Sequence, residues 1–133
     1  MSVSVCRKAT PVLYVQSMAP SLAFWCERLG FALTQQVPDG DEPVFAAVQS
    51  GDIEIMLQTV AAYEADPHAP SRPWRADRSY LFVEVGNLDQ VIAALDGCEM
   101  VVPRHTTFYG ADEIGYREPG GHFVTFACFA GAA

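Results

Sequence analysis

Basic residues are scarce in this chain: eight Lys and Arg stand against sixteen Asp and Glu, a formal net charge of −8 over 133 residues. That balance repels a phosphate backbone, so a sequence-independent grip on nucleic acid is disfavoured, whereas a cationic ligand would be attracted. Long apolar runs are absent too. Nothing approaches the ~20 residues that span a bilayer, and the opening "MSVSVCRKAT" is too short and polar for a secretory h-region. We therefore expect a cytoplasmic protein without membrane contact. The four cysteines, Cys6, Cys26, Cys98 and Cys128, form no C-x-x-C pair and lie in or beside apolar segments, which predicts small buried side chains in a reducing compartment. There is no G-x-S-x-G nucleophile turn and no glycine-rich phosphate cradle. His68, His105 and His122 show no H-x-x-x-H spacing and read as unrelated surface or turn histidines, His122 as a turn-stabilising one.

What is present is ordinary for one globular domain, with half the residues hydrophobic and 18% charged. Within it one unit occurs twice. "TPVLYV" is a short strand, Ser17 a candidate helix cap, Met18, Leu22, Trp25 and Leu29 an apolar helix stripe, and Gly30 its terminator. Seventy residues on, "YLFVEV", Asn87, the stripe Leu88, Ile92 and Leu95, and Gly97 repeat the series. Three strand-like runs follow each helix: "FALTQQV", "PVFAAVQ" and "DIEIMLQT", then "CEMVVPR", "DEIGYRE" and "HFVTFACF". The expected fold class is α+β. Two βαβββ modules, at about residues 9–59 and 79–129, form a curved mixed sheet with helices outside and a cleft inside. Residues 60–77 join them, with a short helix expected at the start of that linker.

This doubled pattern, opened by "PVLYV…SLAFW…LGF" and closed by "REPGGHFVTFA", resembles the vicinal oxygen chelate superfamily, in particular its glyoxalase, bleomycin-resistance and dioxygenase group. The resemblance runs from about Thr10 to Phe129. It implies a homodimer with a cavity under each sheet that either chelates a divalent metal or holds a drug. In metal-dependent relatives the ligands are His on the first strand and Glu or His on the last strand of each module. Those positions fall here on Thr10, Tyr80 and Thr125, and on one of Glu54, Met56 or Gln58, whose register the sequence leaves open. Hydroxyls and rings thus replace most of the donors that a metal requires. The closing turn reads "EPGGH", with Glu118 and Gly120 where the family carries aspartates.

Strand alternation turns Tyr14, Tyr80, Phe82, Glu84, Phe123 and Thr125 into the cleft. With Glu54, Trp74 and Tyr109 they form the candidate ligand-binding set: rings to stack on a flat ligand, and Glu54 and Glu84 to answer a positive charge. Other readings stay open. Phe82 and Phe123 can simply fill the cleft, Trp74 can pin the linker, and Glu84 can be a solvated strand end. The leading expectation is a protein that binds and sequesters a cationic, aromatic drug or metabolite, without metal or other cofactor. The alternatives are a lyase, isomerase or dioxygenase with unconventional ligands, or an interaction module with a filled cleft.

Overall fold

The protein is described from a computed structural model, which covers residues 5–68 and 79–130. The first half runs β1 (Val12–Val15), α1 (Met18–Leu22), β2 (Ala32–Asp39), β3 (Glu42–Ser50), β4 (Ile53–Thr59) and α2 (Val60–Ala65). The second runs β5 (Tyr80–Glu84), α3 (Leu88–Ala94), β6 (Glu99–Thr106), β7 (Ala111–Arg117) and β8 (Phe123–Phe129). Each half is a four-stranded sheet in which the first strand lies parallel to the last, in the orders β1-β4-β3-β2 and β5-β8-β7-β6. The expected βαβββ modules are both there, and so is the short helix at the start of the linker. The mixed sheet expected from the two modules is made of two four-stranded sheets, and among the described residues no backbone ladder joins β1 to β5. Pro38 and Pro103 lie in the outer strands β2 and β6, next to register shifts, where a missing amide costs least.

One apolar cluster fills the helix side of both sheets. Leu13, Val15, Ile55 and Leu57 of the first sheet and Ile114, Tyr116, Val124 and Phe126 of the second meet Met18, Phe24 and Trp25 from one helix and Leu88, Val91 and Leu95 from the other. The predicted stripes need adjustment. Leu22, Leu29 and Ile92 are only half-buried, while Phe24 and Val91, outside the predicted stripes, are buried. In the first half the reason is local: α1 passes directly into a π-helical stretch (Ala23–Arg28), and the wider turn points both Phe24 and Trp25 inward. Their rings meet edge-on at 5.1 Å, and Trp25 meets Phe31 at 5.3 Å.

The caps differ between copies. Asn87 accepts from the Gln90 amide at 3.0 Å as expected. Ser17 makes no cap bond to its own helix. It donates to Glu42 of β3, and Glu42 Oε1 accepts from the Ala19 amide at 2.6 Å, so a carboxylate from another strand satisfies this helix start. Gly30 and Gly97 both end their helices at positive φ, 77° and 83°.

Among the described residues three polar contacts fasten the halves besides the core. Arg28 donates to the carbonyls of Ala94 and Asp96, and His122 Nε2 donates to the Tyr14 carbonyl at 2.8 Å. His122, expected as a turn-stabilising residue, closes the β7–β8 turn by accepting the Glu118 amide on its carbonyl, and its ring is buried at the joint between the halves. Cysteine burial was overstated for Cys6, which is exposed near the terminus; Cys26, Cys98 and Cys128 are half-buried against the core, all as free thiols. No helix among the described residues is long and apolar enough to cross a membrane.

Candidate functional site

Register fixes which side chains share the face turned away from the helices. Across the second sheet they form rows: Tyr80, Phe123, Arg117 and Glu99; Phe82, Thr125, Gly115 and Val102; Glu84, Ala127, Glu113 and His105. Thr125, Ala127, Gly115 and Glu113 make a buried floor. Aromatic rings cover it. Tyr80 leans over Thr125, their hydroxyls 2.8 Å apart, and packs on Phe123 at 4.9 Å between centroids. Phe123 lies so close on Gly115 that a β-carbon there would stand 2.8 Å from the ring. Phe82 and Tyr109 flank Phe129 at 6.2 and 6.0 Å, and the Tyr109 hydroxyl donates to Glu113.

These covering rings are open to solvent on their outer side: Tyr80 is 60% exposed, Phe82 44% and Tyr109 47%. Exposed rings that touch one another are uncommon on a soluble surface and mark a place where something flat and apolar can dock. Phe123 lies on the floor at Gly115, and Phe82 presents nearly half its surface to solvent.

The first sheet is built alike but faced differently. Val12, Tyr14, Met56 and Gln58 share its open face, since Val12 pairs with Met56 and Tyr14 with Gln58. Because Phe82 pairs with Thr125 in the second half, the counterpart of Thr125 is Met56, which resolves the register left open by the sequence. Glu54 stands one step along, accepting from Lys8 at 2.6 Å and from Thr10 at 3.4 Å. Lys8 holds the Glu54 carboxyl below the usual carboxylate range, so its charge is already answered. Tyr14 turns to α2 and meets Tyr63 at 4.7 Å.

Of the nine predicted site residues, Tyr80, Phe82, Tyr109, Phe123 and Thr125 come together in one contiguous layer, with Glu84 at its edge. Glu54, Phe82 and Glu84 also line a hollow of about 430 Å³ between the start of β4 and β5, shared with Pro11 and Ile53. Tyr14 stands apart from that layer, and Trp74 lies outside the described residues. Sequence reasoning missed Glu113, a carboxylate only 5% exposed. The alternation of "DEIGYRE" carried the signal, because Glu113 shares the face of Gly115 and Arg117.

The four positions where a metal-dependent relative would carry donors thus hold Thr10, Met56, Tyr80 and Thr125. Two alcohols, a thioether and a phenol do not fit a divalent ion such as zinc or iron, which takes imidazole, carboxylate or thiolate. Tyr80 and Thr125 moreover satisfy one another. Among the described residues no group of three or more His, Cys, Asp or Glu is placed to hold an ion.

Comparison with known proteins agrees with this architecture. Residues 8–126 match the Glyoxalase/Bleomycin resistance protein/Dioxygenase superfamily, and the chain belongs to that family. No curated protein matches the sequence. Among solved structures it is similar to TioX from Micromonospora sp. ML1, with a TM-score of 0.76 and 17% identity over 93% of this chain and 99% of that one. It is similar also to a glyoxalase/bleomycin resistance protein/dioxygenase from Nocardioides, at 0.72 and 17% over 99% and 89%. A lactoylglutathione lyase from Agrobacterium tumefaciens follows, at 0.71 and 15% over 92% of both chains. At these identities the likeness establishes the fold.

Proposed function

We propose that this protein binds a flat, cationic small molecule on the aromatic layer of its second sheet and sequesters it, acting as a metal-free homodimer of the bleomycin-resistance type. The observation that carries the reading is the Tyr80–Thr125 hydrogen bond. At the two places where a metalloenzyme of this family would present an imidazole and a carboxylate, this chain presents a phenol and an alcohol bonded to each other, beneath rings that remain open to solvent. An apolar wall with a few orienting polar groups is the usual composition of a small-molecule site. Net negative charge and exposed ring faces both favour a cation.

The Agrobacterium neighbour is named a lyase, and a metal-dependent lyase on this fold needs donors that these positions lack. Elemental analysis of the purified protein separates the two readings. Near-stoichiometric zinc, iron, manganese or nickel overturns the binding-protein reading. A thermal-shift screen of cationic aromatic compounds supports it if a compound at a hundred times its Kd raises stability by about 2.7 kcal/mol, several degrees for a domain of this size.

A further inference from the structure

Glu113 is a nearly buried carboxylate without a strong cationic partner. Its Oε2 accepts from the Tyr109 phenol, and its Oε1 faces His105 Nε2 at 3.8 Å, too far for a hydrogen bond. The other ring nitrogen of His105, Nδ1, lies 2.9 Å from the Pro103 carbonyl. A carbonyl only accepts, so Nδ1 carries a proton, and in the neutral tautomer of the ring the Nε2 lone pair is what faces Glu113. In that tautomer two acceptors stand 3.8 Å apart, with no donor between them among the described residues. The negative charge of Glu113 is felt next door, where its hydrogen bond pushes the Tyr109 phenol pKa up.

A primary ammonium has the shape and charge that this gap lacks. Its three N–H donors reach ~2.8 Å, so one nitrogen can bond Glu113 Oε1 and His105 Nε2 together as the apex of a triangle on that 3.8 Å base. The Tyr109 ring, beside Phe129 and through it Phe82, would then bear on whatever the amine is attached to. Glu84 in the same row is exposed, and Glu54 on the other sheet is bound to Lys8. Neither offers a buried, uncompensated charge.

We propose that Glu113 and His105 anchor the ammonium group of an aromatic primary amine whose ring lies on the Tyr109–Phe129–Phe82 surface. This rests on the aromatic layer being the binding face, and the test keeps the two claims apart. Isotope-labelled protein is titrated by NMR with 1-naphthylmethylamine and with its neutral analogue 1-naphthylmethanol. The amine is expected to bind about tenfold more tightly or better, the size of a charge-assisted hydrogen bond. Glu113→Gln, which keeps the volume and the bond from Tyr109, brings the amine's affinity down to that of the alcohol; Glu84→Gln and Glu54→Gln leave the difference in place. Equal binding of amine and alcohol to the unaltered protein overturns the anchor and spares the aromatic face. A preference that survives Glu113→Gln overturns it equally. If neither compound shifts the resonances of the layer, both claims fall.

Discussion

Glu118 is a buried carboxylate, and replacing it tests what that burial costs the fold. It is 1% exposed, at the turn between β7 and β8, and neither carboxylate oxygen has a hydrogen-bond partner among the described residues. Burial raises its pKa, outweighing the field of His122 and the nearby Ser21 hydroxyl and the Gly120 and His122 amides, none of which closes a bond of good geometry. Because the folded pKa lies above the unfolded one, the folded state binds more protons, and stability falls as pH rises. The stability is complete below the ordinary glutamate value near 4.3 and is lost as pH climbs through the raised value. Glu118→Gln removes the ionised form at constant volume. An unsatisfied buried polar group costs about 1–3 kcal/mol and a charged one more, so the variant should exceed the parent by at least about 1–2 kcal/mol at pH 8, several degrees in Tm. At pH 4 the parent carboxyl is neutral and the gap should close. Urea denaturation at both pH values measures it. If Glu118→Gln is less stable at pH 8 and equally so at pH 4, Glu118 is a stabilising partner of His122 and the reasoning is refuted.

Two further substitutions probe separate features. Gly115→Ala sets a β-carbon 2.8 Å from the Phe123 ring and 3.1 Å from Val102 Cβ, so it should cost about 1–3 kcal/mol in denaturation and displace the Phe123 ring resonances in NMR. Glu42→Ala leaves the Ala19 amide without its acceptor and should cost about 1 kcal/mol, whereas Ser17→Ala, which removes a hydroxyl that caps nothing, should cost distinctly less in the same assay.

The repeat was legible because each copy carries its own punctuation. Gly30 and Gly97 stop the helices at positive φ, and alternation of Leu13 and Val15 against Val12 and Tyr14 decides which face meets the core. Other features depend on contacts between distant segments. Nothing near Ser17 announces that Glu42, on another strand, will cap its helix, and helical periodicity assumes a regular turn that the π-helical stretch does not keep. At the site the rings were found because strand alternation places them. Glu113 was missed, since its importance lies in burial and in partners supplied by the β6–β7 connection and by β6. The open choice among Glu54, Met56 and Gln58 needed the pairing of β1 with β4, which a single strand cannot reveal.

The pleat of each sheet works as insulation between inheritance and novelty. Aliphatic and aromatic side chains on one side of each half are committed to a common interior, while the opposite side has specialised: rings in one copy, methionine and glutamine in the other. Since neighbours along a strand face opposite ways, either outer face can be rewritten at every second position without touching the packing that makes the duplicate fold. A duplicated domain of this kind keeps one face of each half free to vary while the other face holds the shape.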